Sequence, residues 1–348
     1  MKPNPSNERV KHRYFQWLRN ARQKNDKTID QVAAALDRFE EFSRRRDFGS
    51  LRVEQAGPFK KHLASQNAAR SGTRLSKATI TSTLYAIRDF VRWLAEQKGF
   101  RNRILKTDAD YFSPSLHDEA IARATRPTRV PTLGELQSMV AAMPTGTPID
   151  RRDRAVVALI AMSAARDDAV ASLQVQDFDV DDKQLFQDSR HVRTKFRKTF
   201  PTWLNDFDTG FFDIVAEWKK ELVEDHGFGP TDPLFPKTDT SFGPDGIRMP
   251  PRLARGTWAN ADAIRRILSK ACAGADVSAF KPHSIRKTMT LVVMESTNSI
   301  AAMKAYSQNL GHDDLKTTIF TYGNVPTHRQ RELVLGLRIK TAEPEPAE

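Results

Sequence analysis

The chain contains very little cysteine and no long apolar segment. Cys272 is the only cysteine among 348 residues. A single cysteine excludes an intrachain disulfide framework and makes a reducing compartment the simpler expectation. No apolar run approaches the roughly 18 residues that a membrane span requires, and the first residues, MKPNPSNERVKHR, lack the apolar core of a signal peptide. We therefore expect a cytoplasmic protein that does not contact a membrane.

The sequence is basic, and its positive charge is concentrated in the first third. The formal net charge is +12. Residues 1–130 hold 27 Lys and Arg against 14 Asp and Glu, whereas the remainder holds 28 against 29. An uneven positive charge of this size favours a polyanionic partner. We expect the first third of the chain to provide most of the electrostatic attraction.

Apolar residues at helical spacing predict four helices in this first third. They are predicted around Tyr14 to Leu18, from a capping box at Thr28, over residues 52–66, and from Ser76 to just before Gly99. A helical domain over residues 1–115 is the result. Its basic residues could each be ordinary solvated surface, but together with the charge asymmetry they predict a surface that follows phosphates. These residues are Arg44, Arg45, Arg46, Lys60, Lys61, Arg70 and Arg74.

The rest of the chain is predicted to form a second, mixed domain. Residues 116–131 are rich in Pro and Arg and predict a linker. A catalytic domain is expected over residues 132–326, opening with a capping box at Thr132 and including an apolar helix that ends at Arg166. Residues 183–204 predict a β-hairpin, residues 238–257 a loop, and residues 327–348 a final helix with an acidic tail. The expected fold is mainly α, in two domains, with a small antiparallel β-hairpin or sheet.

Four polar side chains of complementary chemistry lie close together in this second domain. His283 and Arg286 stand one turn apart on a predicted helix. A guanidinium grips phosphate oxygens with two parallel hydrogen bonds, so a phosphodiester is the expected anion. His312 follows in NLGH and Tyr322 in TTIFTY. A positioned tyrosine can act as a nucleophile, and phosphate chemistry without a metal needs these groups.

The motifs HSIR, NLGH and TTIFTY, in this order, resemble those of the tyrosine recombinases, also called phage integrases. In that family a helix bearing His-x-x-Arg precedes a Leu-Gly-His turn, and a tyrosine follows. The motifs cover roughly residues 155–325, while the first third resembles the family's core-binding domain in size, helicity and position. The resemblance implies Tyr322 as the nucleophile, Arg166 and Arg286 as neutralisers of the phosphate, and His283 and His312 as donors or proton carriers.

Arg166 is assigned from the segment SAARDDAVASLQVQDFDVD, which resembles the family's first arginine segment. On local grounds alone, Arg166 could equally be a cation that complements the end of a helix. The family has an acidic residue three positions after its arginine, where this chain has Ala169. Asp167 or Asp168 is the candidate replacement.

The resemblance also implies a lysine on the hairpin, shortly before a Val-Pro or Phe-Pro pair. Lys195, in TKFRKTFP, is the choice by position, and Lys198 is the alternative as well as a candidate DNA contact. A mobile ammonium in a phosphate site can donate a proton to a departing oxygen.

The function implied is that of a site-specific recombinase or integrase, which cuts and rejoins double-stranded DNA through a 3′-phosphotyrosine. No metal or other cofactor is expected. A homotetramer on two DNA sites is expected, formed from monomers or dimers, and accessory DNA-bending proteins are candidate partners in a nucleoid-associated role.

Two alternative functions stay open. A type IB topoisomerase or resolvase uses the same chemistry, and a catalytically inactive DNA-binding regulator is favoured only by Ala169.

Overall fold

The structure is a computed structural model that describes residues 2–68, 72–124, 129–241, 247, 249–297 and 299–313. Arg70, Tyr322 and the predicted segment 327–348 lie outside these residues. The chain divides into two compact units, Met1–Pro127 and Thr128–Glu348. Across the described ranges, no helix is long and apolar enough to span a bilayer.

The first unit is helical. Its described residues form five α-helices, α1 (Pro5–Asn20), α2 (Asp26–Phe42), α3 (Ala56–Ser65), α4 (Lys77–Leu94) and α5 (Leu116–Arg123). The four predicted helices are confirmed, and α4 is capped by Ser76 as expected. The predicted capping box at Thr28 is wrong, because the Asn25 side chain already accepts a hydrogen bond from the Thr28 amide at 2.8 Å. Helix α2 therefore begins before Thr28.

Helix α5 lies in the first half of the stretch predicted as a linker. Ser115 caps it by accepting a hydrogen bond from the Asp118 amide at 3.1 Å. Lys77 of α4 pairs with the Asp118 carboxylate at 2.6 Å. Leu116 is 85% exposed, so the helix has little of the apolar stripe by which sequence patterns reveal helices.

Aromatic residues supply several of the largest side chains in the core of the first unit. The rings of Phe39 and Phe59 meet edge to face, with centroids 5.1 Å apart. Tyr14 meets Phe90 at the same centroid distance in a similar geometry. Such edge-to-face contacts favour aromatic pairs beyond the effect of burial alone. The core therefore fixes how α1, α2, α3 and α4 pack.

A buried polar network holds the basic turn that follows α2. Glu40 is fully buried and accepts hydrogen bonds from Asn7 at 2.9 Å and from Lys11 at 2.7 Å. Asn7 also donates to the Arg46 carbonyl at 3.0 Å. Arg44 and Arg46 are exposed. The network thus fixes the backbone of the turn, while these two cationic side chains remain accessible to a ligand.

Over its described residues, the second unit combines helices with two small sheets. Its elements are α6 (Leu133–Ala142), α7 (Pro148–Ser163), α8 (Asp167–Val170), β1 (Phe178–Asp179), β2 (Gln184–Gln187), β3 (Phe200–Trp203), α9 (Phe211–Glu224), β4 (Lys237–Asp239), β5 (Arg252–Ala254), α10 (Asp262–Gly274), α11 (Pro282–Ser296) and α12 (Ile300–Asn309). The mainly helical prediction with a small antiparallel β element is confirmed. The capping box at Thr132 is also confirmed, since Thr132 and Glu135 exchange hydrogen bonds at 2.8 and 3.1 Å.

Helix α7 is buried along most of its length, as its apolar sequence predicts, and it packs against α9. It ends at Ser163 rather than at Arg166. Ala164 adopts a left-handed conformation with φ of 51°, which turns the chain out of the helix. Arg166 consequently stands at the N-terminal cap of α8, so the interpretation of Arg166 as a cation at the end of the preceding helix is wrong.

The predicted hairpin is confirmed as part of a three-stranded antiparallel sheet in the order β1, β2, β3. Gln184 pairs with Trp203 and Gln187 with Phe200. A second antiparallel pair, β4 and β5, lies in the region predicted as a loop at 238–257. Buried Arg152 of α7 donates to the Pro236 carbonyl at 2.7 Å and so holds the start of β4.

Candidate active site

Arg286 is the residue through which three segments of the second unit meet. It lies on α11, and only 4% of the residue is exposed. Its guanidinium donates to the Ala164 carbonyl at 2.7 Å and to the Leu310 carbonyl. It also lies 3.0 Å from Nε2 of His312. A buried arginine with several acceptors has a fixed orientation, because the donors of its planar fork point in set directions.

Gly311 forms the turn that places His312 beside Arg286. Its φ is +72°, and a Cβ at this position would lie 2.6 Å from Cζ of Phe200. The His312 amide donates to the Ser307 carbonyl at 3.1 Å and closes the turn after α12. Glycine is therefore needed both for the backbone conformation and for the ring packed against it.

We expect Gly311→Ala to destabilise the second unit by about 2 kcal/mol or more. A left-handed conformation costs a residue with a Cβ about 1–2 kcal/mol, and Phe200 must also move. Gly274→Ala is the matched control, because a Cβ there meets nothing within 4 Å. Denaturant unfolding of both variants checks the prediction. Equal stability of the two variants would show that the turn tolerates a side chain.

The pKa of His312 is lowered to about 4. Burial is the largest cause, and the positive charges of Arg286, Arg166, Lys198 and Lys195 add to it. The imidazole is therefore neutral near pH 7. Since arginine can only donate, Nε2 of His312 accepts the hydrogen bond from Arg286, and the remaining ring nitrogen carries the proton.

This lowered pKa predicts a loss of folding stability in mild acid. The folded pKa lies below the unfolded value of about 6.5, so the unfolded chain takes up the proton first as the pH falls. The contribution is present above about pH 6.5 and is lost toward about pH 4, with a total of about 3 kcal/mol at most. Urea unfolding at pH 7, 6 and 5 measures it. His312→Gln keeps an acceptor for Arg286 but does not titrate, so its stability should depend less on pH than that of the native chain.

His283 stands one helical turn before Arg286 and is exposed at the surface of α11. Desolvation, followed by the positive charges of Arg286, Lys287 and Arg166, lowers the pKa of His283, while Asp167 opposes this effect. His283 is therefore biased toward the neutral form. The same charges show that it shares an electrostatic environment with both predicted arginines.

Arg166 is half-buried and lies two residues beyond the Ala164 carbonyl that binds Arg286. Its charge contributes to lowering the pKa of both His283 and His312. The structure thus brings the two predicted arginines to the same pair of histidines. Positive groups arranged in this way can bind and neutralise a phosphodiester.

The acidic residues after Arg166 are engaged by arginines that sequence reasoning missed. Asp167 accepts a hydrogen bond from Arg265 of α10 at 3.2 Å. Asp168 accepts one from Arg193 of the hairpin at 3.0 Å. Ala169 is buried in the core. Local sequence patterns carry no signal for these pairs, since each joins residues distant along the chain.

The two predicted lysines lie on the connection between β2 and β3. Lys195 is exposed, and its ammonium lies 4.8 Å from the ring centroid of Phe196. Phe196 and Arg197 both adopt left-handed conformations, with φ of 62° and 53°. Lys198 is half-buried and pairs with the carboxylate of Asp313. Both lysines contribute to lowering the pKa of His312, so both lie on the side of the Gly-His turn.

Asn309 at the end of α12 fixes the hairpin beside this turn. It accepts a hydrogen bond from the Trp203 amide at 2.6 Å and donates to the Trp203 carbonyl at 2.9 Å. Thr202 donates to the Asn309 carbonyl at 3.0 Å. Asn309 was not predicted as a site residue. It acts at the backbone of β3 and thereby sets the position of the lysine loop.

Five of the six predicted catalytic residues therefore lie among the described residues, namely Arg166, Lys195, His283, Arg286 and His312. The positive charges of Arg166, Lys195 and Arg286 all act on His312. Tyr322 lies outside the described residues, and its role stays a prediction. Of the predicted DNA contacts in the first unit, Arg44, Arg46, Lys61 and Arg74 are exposed and Arg45 and Lys60 are half-buried.

Comparisons with known proteins bear on the fold and the family of the chain. A search of curated proteins gives no match. Solved structures share the fold, at identities that carry no information beyond it. They include a lambda integrase dimer bound to a COC′ core site, at 13% identity and a TM-score of 0.56, covering 91% of this chain and 95% of that one. XerH recombinase in a post-cleavage complex matches at 16% identity and a TM-score of 0.58, covering 93% and 82%. The Tn1549 transposon integrase with transposon right end DNA matches at 14% identity and a TM-score of 0.58, covering 94% and 99%.

The sequence itself matches a family profile over more than half of the chain. The matching family is the phage integrase family, and the match covers residues 131–329. This span contains Arg166, the lysine hairpin, the His-x-x-Arg helix, the Gly-His turn and Tyr322. The chain belongs to the phage integrase family.

Proposed function

We propose that the protein is a site-specific DNA recombinase or integrase that cuts and rejoins DNA through a 3′-phosphotyrosine. The observation that carries this proposal is the buried contact between Arg286 and His312, which shares its surroundings with Arg166 and the hairpin lysines. Fixed donors of this kind stabilise the charge that develops on a phosphate as a fifth oxygen approaches it. Membership of the phage integrase family supports the same conclusion.

In the cleavage step, the phenolic oxygen of Tyr322 attacks the phosphorus and the bond from phosphorus to the 5′ oxygen breaks. Arg166 and Arg286 neutralise the non-bridging oxygens. The proton of the phenol passes to His283, whose lowered pKa favours a neutral ring that can accept it. The departing 5′ oxygen takes a proton from Lys195.

His312 has a different role from His283 in this proposal. Its Nε2 is engaged by Arg286, so the other ring nitrogen is the group that can donate to the phosphate. The lowered pKa keeps His312 neutral, so it donates a hydrogen bond without adding a further charge to the cluster.

Rejoining is the reverse reaction with a different 5′ hydroxyl. The hydroxyl of the partner strand attacks the phosphotyrosine and releases Tyr322. The covalent intermediate retains one phosphoester bond in exchange for another, so strand exchange requires no ATP. The two arginines and the lysine supply the charge neutralisation that a metal provides in other phosphoryl-transfer sites, and on this basis we propose a metal-independent reaction.

Double-stranded DNA is the proposed partner, as in the lambda integrase and XerH complexes. Exposed basic residues of the first unit are proposed to contact phosphates, and the backbone of the turn after α2 is held by the hydrogen bond from Asn7 to the Arg46 carbonyl. Exchange between two duplexes requires two cleavages on each, which supports a homotetramer on two sites. Accessory DNA-bending proteins and a nucleoid location in the cytoplasm complete the proposal.

The two alternative functions are less well supported. A type IB topoisomerase or resolvase would use the same residues, but the family match favours recombination. An inactive DNA-binding regulator was suggested by Ala169 alone. Asp167 pairs with Arg265 and Asp168 with Arg193, and the presence of these two carboxylates directly after Arg166 argues against basing inactivity on the alanine.

A covalent trap with an exchange assay tests the proposed function. The protein is incubated with DNA from its own genomic neighbourhood, including nicked duplexes from which the 5′ fragment diffuses away, with chelator and without nucleotide. Detergent then stops the reaction. We expect a protease-sensitive adduct at the 3′ end and, from duplexes of different length, products of exchanged length. Relaxation of a supercoiled plasmid without exchange would indicate a topoisomerase, and absence of an adduct on DNA that the protein binds would indicate a regulator.

A further inference from the structure

Arg193 joins the lysine hairpin to two other segments of the second unit. Its Nε donates to Oδ1 of Asp168 at 3.0 Å. Its Nη2 donates to the Trp258 carbonyl, in the segment before α10, at 2.9 Å. Its backbone amide donates to Oγ of Ser172 at 2.9 Å. Both the main chain and the side chain of one hairpin residue are thus anchored to the body of the unit.

The anchored residue lies two positions before Lys195, in a loop with unusual backbone geometry. The two residues after Lys195 are both left-handed, which is uncommon for residues with a Cβ. A conformation of this kind persists only when the surrounding contacts hold it. In the part of the chain that the structure describes, no carboxylate pairs with the Lys195 ammonium. The anchor at Arg193, two residues before Lys195, holds this part of the loop through both its backbone and its side chain.

Arg193 also connects the loop that carries Lys195 to the turn that carries Arg166. Asp168 belongs to α8, whose N-terminal cap is Arg166. The Arg193–Asp168 ion pair therefore fixes the position of the Lys195 loop relative to the turn that carries Arg166. Only about a third of either paired side chain is exposed. Partial burial and a second acceptor for Arg193 make this pair more rigid than an ordinary surface ion pair.

We propose that Arg193 is a positioning residue that holds Lys195 where its ammonium can protonate the leaving 5′ oxygen. This inference rests on the proposed function, since it assigns a way of supporting the proton donor of that reaction. Arg193 itself need not touch the DNA. Its effect should therefore appear only when the leaving oxygen requires a proton.

A DNA substrate with sulfur in place of the 5′-bridging oxygen at the scissile phosphate distinguishes support of the proton donor from a general role in folding or DNA binding. In that substrate, attack by the tyrosine breaks a phosphorus–sulfur bond and a thiolate departs. A thiol has a pKa of about 8.5, far below that of an alcohol, so the sulfur can leave without taking up a proton. A residue that acts only through the general acid becomes dispensable on this substrate.

We expect Arg193→Ala to slow cleavage of ordinary DNA about tenfold or more, a part of the roughly 10²–10⁴-fold that a positioned proton donor contributes. On the sulfur-containing DNA, its rate should approach that of the native protein. Lys195→Ala should show the same pattern with a larger effect. Arg193→Lys keeps the charge but cannot reach both acceptors in the same way, and it should give an intermediate effect.

Arg190→Ala is the matched control. Arg190 lies in the same connection, is highly exposed, and pairs with Asp188 rather than with α8. Its ratio of rates on the two substrates should equal that of the native protein. Circular dichroism and DNA-binding measurements on every variant show whether the fold and the affinity are retained.

Three results would overturn the proposal. They are equal slowing of Arg193→Ala on both substrates, no slowing on either, and a sulfur rescue seen for Lys198→Ala but not for Lys195→Ala. A native protein that forms no 3′ adduct with either DNA would instead overturn the proposed function itself. Failure of the positioning role and failure of the function are therefore distinguishable.

Discussion

Tyr322→Phe is expected to abolish the covalent adduct with DNA while leaving DNA binding unchanged. The substitution keeps the aromatic ring and removes only the hydroxyl that would attack the phosphorus. The chain has five tyrosines, and only Tyr306 and Tyr322 belong to the unit that carries the cationic site. Denaturing gels of protein trapped on nicked DNA measure the adduct, and gel shifts measure binding.

Tyr306→Phe is the matched control, because the structure argues against Tyr306 as the nucleophile. Burial raises the pKa of Tyr306 above its usual range, which disfavours the phenolate. Within the described residues, no hydrogen-bond partner is found for its hydroxyl. Removal of this hydroxyl should therefore cost little stability and leave the adduct intact. An adduct that survives Tyr322→Phe but disappears in Tyr306→Phe would reverse the assignment.

Features encoded by neighbouring residues could be predicted from the sequence. The Thr132–Glu135 capping box is contained within four consecutive positions. Helix α7 can be predicted from its run of apolar residues. The Gly-His turn is similar in part, because the left-handed backbone of Gly311 favours glycine locally, although the Phe200 ring packed against it is distant in the chain. In each case the residues that specify the structure lie next to one another.

Features that depend on partners distant in the chain could not be predicted in this way. Asn309 binds Trp203, a residue 106 positions earlier. Helix α5 has little apolar stripe, and its ion pair with α4 joins Lys77 to the distant Asp118. Strands β4 and β5 have three residues each, too few for an alternating pattern to be recognised.

The candidate site shows the same division. The motifs identify Arg286 and His312 but do not show that the two side chains touch. Arg286 lies on α11, His312 follows α12, and Arg286 also binds the Ala164 carbonyl after α7, so the contact depends on how three segments pack. The ion pairs of Asp167 and Asp168 were invisible for the same reason. The sequence could therefore name most of the reacting groups, whereas the residues that hold them in place required the structure.

Arg286→Ala is expected to slow cleavage by about 10²–10³-fold, which corresponds to about 2.7–4 kcal/mol of barrier, the typical loss when one fixed donor to a developing oxyanion is removed. A second effect accompanies it. The carbonyls of Ala164 and Leu310 and the ring of His312 all lose their donor. Buried acceptors left without partners cost about 1–3 kcal/mol each where water cannot replace the arginine, so the variant should also be less stable.

The two effects of Arg286 can be separated by a second substitution and a control. Arg286→Lys keeps a positive charge but cannot reproduce the planar fork that reaches several acceptors, so most of the catalytic loss should remain. Arg151→Ala removes a two-pronged contact with Glu221, at 2.6 and 2.8 Å, that joins α7 to α9. This control should lower the free energy of unfolding without changing the single-turnover cleavage rate of the folded protein. Cleavage rates measured at saturating DNA, well below the melting temperature of each variant, distinguish a loss of catalysis from a loss of stability. If Arg151→Ala slowed cleavage as much as Arg286→Ala, the loss would reflect general destabilisation, and Arg286 would not be a phosphate-neutralising residue.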